Sequence, residues 1–222
     1  MKIVFNAGHG PDTLGKRSPD GMKEFEFNLA VVNYMRFEIE KYHDVQILFS
    51  HANTRDIPLN DRTNFANNEK ADLYVSIHAN AFTDTWSDAK GIETYVYTGF
   101  PRDANELAEK EQKHLVKSTG REDRGLKEAN FHELRETNMP AILCECGFMT
   151  HREESQLLRS DGYRKTCAIA IVIGIVEQYG LKKKDIPTKL YKVQVGAFEK
   201  RENAEQLLKD LQRQGYRGFI TE

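Results

Sequence analysis

Apolar positions along this chain change period several times, and each change marks an element. "KIVFN" (Lys2–Asn6) is a short apolar run closed by a Gly-His-Gly turn, the pattern of a buried strand. A loop rich in Gly, Pro and Asp follows, to about Gly21. In "EFEFNLAVVNYMRFEIEKY" the residues Phe27, Ala30, Val31 and Tyr34 fall at i, i+3, i+4 and i+7, which predicts a helix. "VQILF" predicts a second strand, and "PLNDRTNFANNEKA" a helix with Pro58 suited to its first turn. "DLYVSIH" and "GIETYVY" predict the third and fourth strands, "RDANELAEKEQKHLVKS" an exposed helix and "AILCECGF" a fifth strand. A helix from about Tyr163 to Tyr179 closes the series. Strands alternating with helices predict an α/β fold with a sheet covered on both faces.

The longest apolar run, "CAIAIVIGIV" (Cys167–Val176), is about half the length a bilayer-spanning helix needs, so it reads as a core helix and no membrane insertion is expected. The next stretch, "LKKKDIPTK", is charged, contains a proline and lacks apolar periodicity. The expected organisation is a domain over 1–181, a linker over 182–188, and a small strand–helix–strand segment over 189–222.

A formal net charge of −2 with 30% charged residues gives no global sign of a nucleic-acid partner. Three cysteines without CxxC spacing argue against a disulfide framework and suit a reducing compartment. Cys144 and Cys146 are a possible metal pair, but two neutral buried thiols are the commoner case. "MKIVFNAGHG" is too short in apolar content for a signal peptide, so synthesis in the cytoplasm without one is expected.

His9 and His78 both stand at strand ends, where α/β sheets collect ligands. Neutral imidazole is the commonest protein ligand for zinc, although a histidine here can equally cap its strand by hydrogen bonding. Asp12, Asp20, Glu24 and Glu26 are the acidic candidates nearby. Glu24 opens the first helix, where a carboxylate stabilises the N-terminus. If it faces the sheet edge instead, His9, Glu24 and His78 form a His2Glu set with an open position, the pattern of a catalytic zinc.

Glu145 lies inside the apolar stretch "AILCECGFM", where a carboxylate is costly unless paired, protonated or bound. Strand alternation puts Cys144 and Cys146 on one face and Glu145 on the other. It reads either as a general base beside a metal-activated water or as a carboxylate paired with Arg62 or Arg124. His43, His51, His114, His132 and His151 fall in loops or on polar helix faces and are expected to be solvated.

"VFNAGHG", "GMKEFEFNLAV", "LNDRTNFANNEKADLYVSIHANA" and "RGLKEANFHELRETNMPAILCECGF" resemble, in order and spacing, the zinc-dependent N-acetylmuramoyl-L-alanine amidases of the Amidase_3 type. The resemblance covers about Lys2 to Leu181. It implies a twisted, mostly parallel six-stranded sheet with helices on both faces, and hydrolysis of the amide joining N-acetylmuramic acid to L-alanine in peptidoglycan. It assigns one zinc ion to His9, Glu24 and His78, and the catalytic role to Glu145. It places Arg62 and Asn80 near the cleft, and Arg124 joins them as a candidate substrate contact. Asn6 departs from the family, in which many members carry aspartate; if that carboxylate orients His9, an amide weakens zinc binding.

"YKVQVGAFEKRENAEQLLKDLQRQGYRGFI" resembles the first half of a sporulation-related (SPOR) repeat, a peptidoglycan-binding family. A β-α-β fragment of this size buries little core, and self-association is one way to complete it. The alternatives to the amidase reading are a zinc peptidase acting on stem peptides and a catalytically silent wall-binding module. Lacking an export signal, the enzyme is expected to reach the wall after lysis or holin-type release.

Overall fold

The structure, a computed structural model, describes all residues except 100, 186–192, 214 and 222. Six strands, β1 (Lys2–Ala7), β2 (Gln46–Phe49), β3 (Leu73–Asn80), β4 (Ile92–Val96), β5 (Asp123–Glu128) and β6 (Ala141–Phe148), form one sheet in the order β2-β1-β3-β6-β4-β5. Neighbours from β2 to β6 are parallel, β4 runs antiparallel to β6, and β5 runs parallel to β4. The helices of this domain are α1 (Glu24–Ile39), α2 (Leu59–Asn68), α3 (Arg102–Thr119), α4 (His132–Arg135), α5 (Arg152–Arg159) and α6 (Asp161–Tyr179).

Period-two alternation sorts the strand residues between two cores. Ile3 and Phe5 of β1, Val75 and Ile77 of β3, and Ile142 and Cys144 of β6 pack on the larger side against Phe27, Val31 and Met35 of α1, Leu107 of α3 and Ile171 of α6. Val4, Tyr74, Ala141 and Leu143 face the other way, against Ala66 and Leu134. Continuing the same alternation puts Asn6, Ser76, His78 and Glu145 on this second face, towards the C-terminal ends of three adjacent strands. Helix α6 absorbs the long apolar run into the core, and among the described residues no helix is long and apolar enough to cross a membrane.

The alternation of β6 holds through Cys146, and one extra residue is then taken up. His78 pairs with Glu145, but Asn80 pairs with Phe148. Gly147, at φ +129°, supplies the left-handed backbone that this bulge requires.

Strand β5 and the short helices α4 and α5 have no counterpart among the elements expected from periodicity. Strand β5 reads "DRGLKE": it is an outer strand whose charged residues protect the sheet edge and erase the apolar alternation.

The chain divides into two compact units, Met1–Lys184 and Asp185–Glu222. The start of the expected linker therefore belongs to the first unit. Tyr42 bridges Lys183, and the Lys184 amide donates to the Lys41 carbonyl. The rest of the linker falls largely outside the described residues. In the second unit the expected helix is present as α7 (Arg201–Arg213). The expected first strand begins in residues outside the described set, and no strand is assigned in 193–198 or 216–221. Gly196 instead lies against Phe198 and Leu207, and Gly218 against Leu208 of α7. A single helix offers too little apolar surface to hold a two-stranded ladder in register.

Candidate active site

The turn after β1 delivers His9. Its φ of +62° is unusual for a residue with a side chain, and a buried arginine holds it there. Arg62 of α2, 2% exposed, donates to the carbonyls of Ile57 (2.9 Å), Ala7 (2.7 Å) and His9 and to Asn6 Oδ1 (2.8 Å). Gly8 is glycine for a steric reason, because a Cβ there would lie 2.1 Å from the ring of His78. The two imidazoles consequently meet edge to face, with centroids 5.1 Å apart.

Glu24, the first residue of α1, is turned inward between them. Its Oε2 lies 3.1 Å from His9 Nε2, and its Oε1 lies 2.9 Å from His78 Nδ1 and also accepts from the Ala79 amide at 3.2 Å. Ligand atoms of His9, Glu24 and His78 all fall within 4.8 Å of one another. Burial works against the Glu24 charge, but the hydrogen bonds with His78 and His9 outweigh it and hold the carboxyl well below the usual carboxylate range. Burial likewise opposes the charge on His78, and Glu133 and Glu24 overcome it, carrying the imidazole up to about 10.

Glu145 is partly buried on the floor of the same cleft, which encloses about 460 Å3. Its Oε2 is a buried atom with no hydrogen-bond partner among the described residues. Burial pushes its carboxyl up to about 8, opposed by His78 and reinforced by Glu24 and Glu93. Neither expected arginine partner is realised. Arg62 faces the backbone behind His9, and Arg124 pairs with Glu93, which also holds Lys127 and accepts from Asn80 and Tyr95. Of the three candidate substrate contacts, Asn80 lines the cleft and Arg62 and Arg124 do not. Leu59, Phe82 and Phe131, all substantially exposed, supply apolar walls.

Several groups escape sequence reasoning. Glu133 of α4 is buried, 3.7 Å from His78 Nε2, and nothing in its local pattern marks it. Asn6 does not touch His9; its amide bonds Ser76, Glu133, Arg62 and Ser50. His51 is not solvated, since it accepts from the Ala7 amide and packs on Phe25 and Phe49. Burial, with the nearby Arg62 charge, drives it down to about 4 and keeps it neutral. His114 pairs with Glu177, His132 meets Thr63 at the cleft, and His151 accepts from the Glu154 amide at the start of α5, which leaves His43 as the exposed one of the five. Cys144 and Cys146 are buried free thiols, pushed upward by burial and by their neighbours, which suits packing rather than metal binding.

Two imidazoles and a carboxylate, converging from three elements beside an unpartnered glutamate oxygen, make a donor set that fits a divalent metal ion. Residues 3–177 match the family described as Amidase_3, N-acetylmuramoyl-L-alanine amidase. The chain belongs to this family. The amidase is followed by a match to the SPOR domain over 187–222. Its relatives include the N-acetylmuramoyl-L-alanine amidase CwlM of Bacillus licheniformis and the sporulation-specific N-acetylmuramoyl-L-alanine amidase of Bacillus subtilis. Each is 32% identical over 99% of this chain and 84% of the relative. Among solved structures, an N-acetylmuramoyl-L-alanine amidase from Clostridium difficile 630 superimposes with a TM-score of 0.77 at 36% identity, over 81% of this chain and 96% of that one.

Proposed function

We propose that this amidase hydrolyses the amide between N-acetylmuramic acid and the L-alanine of the stem peptide, using one zinc ion held by His9, Glu24 and His78. When bound, zinc supplies a Lewis acid for the scissile carbonyl and lowers the pKa of water toward neutrality. The observation that carries the reading is the convergence of the three donors, within 4.8 Å, beside the unpartnered Oε2 of Glu145.

Glu145 takes a proton from the attacking water on Oε2 and delivers it to the departing alanine nitrogen as the C–N bond breaks. Burial raises its carboxyl and a bound cation would oppose that rise, which suits a group that first takes and then returns a proton. Glu24 keeps both imidazoles directed into the cleft. Asn80 offers an amide to the peptide backbone, and Phe82 and Phe131 exclude water and receive the lactyl and alanine methyl groups. The substrate is a wall polymer, so the enzyme acts on the cell wall. The C-terminal SPOR segment provides a second attachment to the same polymer.

Digestion of defined peptidoglycan, with and without a chelator, tests this. The expected products are new L-alanine amino termini with intact glycan strands, lost on chelation and restored by zinc. Cleavage within the stem peptide makes the enzyme a peptidase instead, and the absence of any product with bound zinc leaves only a wall-binding module.

A further inference from the structure

We propose that Glu133 is a positioning residue for His78: acting through Ser76, it commits Nε2–H of the imidazole to a hydrogen bond and so leaves Nδ1 as the nitrogen that a metal ion would take. The inference rests on the reading of His78 as a metal ligand.

The hydrogens around the Ser76 hydroxyl close in only one way. Ser76 Oγ has one proton to donate and two lone pairs. It lies 3.2 Å from Glu133 Oε2, 3.0 Å from Asn6 Nδ2 and 3.1 Å from His78 Nε2. A carboxylate can only accept, so the Ser76 proton goes to Glu133. The Asn6 amide can only donate through Nδ2, so it fills one lone pair. The remaining lone pair must accept, and its donor is Nε2–H of His78. With Nε2 committed to Ser76, Nδ1 is the nitrogen left for a metal: 2.9 Å from Glu24 Oε1, it donates to that carboxylate in the metal-free protein and would give up this proton to offer its lone pair when an ion binds. Ligating histidines characteristically give their second N–H to a carboxylate or an equivalent acceptor, and this cluster provides one with a hydroxyl interposed.

The same count explains Asn6. Its Nδ2 donates to Glu133 Oε1 at 2.6 Å, while its Oδ1 accepts from Arg62 (2.8 Å) and Ser50 (2.9 Å). Tyr74 also donates to Glu133 Oε1, at 3.1 Å. Aspartate at position 6 would set two carboxylates against each other at hydrogen-bond distance in a buried pocket. Asn6 and Glu133 are therefore two halves of one arrangement, in which the carboxylate enters from α4 rather than from β1.

Glu133→Gln is close to isosteric, but presents either a donor to Ser76 or a donor to Asn6, so the hydrogens no longer close. In competition with a chromogenic chelator, zinc should bind this variant about 10- to 100-fold more weakly than wild type. Circular dichroism of the metal-free protein should be unchanged. Nitrogen NMR of the zinc-loaded wild type should show His78 protonated at Nε2 and ligated through Nδ1. Ligation through Nε2 overturns the proposal even if Glu133→Gln fails to fold. His78→Ala separates the two levels. If it abolishes zinc binding while folded Glu133→Gln binds as wild type, the positioning role falls and the metal site stands; if it binds zinc as tightly as wild type, the metal site itself is wrong.

Discussion

Glu111, on α3 and not among the residues lining the cleft, is fully buried against the strand that carries Glu145. Its Oε2 accepts a weak hydrogen bond from Cys144 Sγ at 3.4 Å, and its Oε1 has no partner. Gly174 of α6 closes over it so tightly that an added Cβ would sit 3.0 Å from Cγ. Burial pushes the carboxyl well above the ordinary 4.5, with only the Cys144 contact opposing, so the folded protein holds a proton that the unfolded chain releases. The sign follows directly: where the folded state binds more protons, stability falls as pH rises. The slope is about 1.4 kcal/mol per pH unit, starting near the unfolded value and ending only at the folded one.

Glu111→Gln removes that slope. The amide leaves N–H groups unpaired in a dry site, a cost of roughly 1–3 kcal/mol that does not depend on pH. The variant should therefore be the less stable protein near pH 5 and overtake wild type about one to two pH units above the unfolded glutamate value. Urea unfolding of both proteins at a series of pH values, in the presence of chelator, measures the difference. Parallel curves for the two proteins from pH 5 to 8 would refute a protonated Glu111, and with it the assignment of its pKa shift to burial. Turnover with zinc should be the same in both, because Glu111 does not reach the cleft.

Glu145→Gln should keep zinc, measured by metal analysis, and lose a factor of about 10²–10⁴ in peptidoglycan hydrolysis; turnover within a few fold of wild type would remove Glu145 from the mechanism. Gly8→Ala drives a methyl group into the His78 ring and should lower zinc affinity by at least tenfold in chelator competition, far more than the same change at Gly162, which has open space around it and an ordinary backbone. Arg62→Lys replaces a guanidinium fork by a single ammonium, leaving the buried carbonyl of Ala7 and the partly buried carbonyls of His9 and Ile57 short of donors. Thermal unfolding should show a loss of about 2–4 kcal/mol, along with weakened zinc binding.

How much of this was legible in the sequence depended on whether a residue's role is local. Five strands and four long helices announce themselves by period, because a strand covered on both faces or a helix with an apolar stripe has little freedom of composition, and the half-buried outer strand β2 also keeps an apolar run. Strand β5 does not, because an edge strand is free to be charged. His9, Glu24 and His78 are legible as candidates because strand ends and a helix start are fixed by the same patterns, and in the structure those ends converge. Arg62 misleads for a physical reason: an arginine near a cleft in sequence suggests substrate contact, yet its fork is the group best able to hold a His9 turn whose carbonyls point inward. His51 was lost in the same way, since a loop histidine looks solvated until the ring is seen to accept from a strand amide.

Buried carboxyls show most clearly where one-dimensional reading stops. Glu24, Glu111, Glu133 and Glu145 are four glutamates drawn wholly or partly out of solvent, and the structure gives each a different chemistry. Two histidines hold Glu24 ionised, and His78 together with Arg62 and Tyr74 does the same for Glu133. Glu111 meets only a thiol and stays neutral. Glu145 faces like charges and one imidazole and is left near the range in which a proton can be both taken and returned. Their partners lie tens of residues away in every case: Glu24 with His78, Glu133 with Asn6, Glu111 with Cys144. A sheet order that brings β1, β3 and β6 side by side creates those pairings, and no local pattern encodes it. Glu145 is thus set apart from Glu24 and Glu133 by the hydrogen bonds its Oε2 lacks, and from Glu111, which also has an unpartnered oxygen, by its place in the cleft.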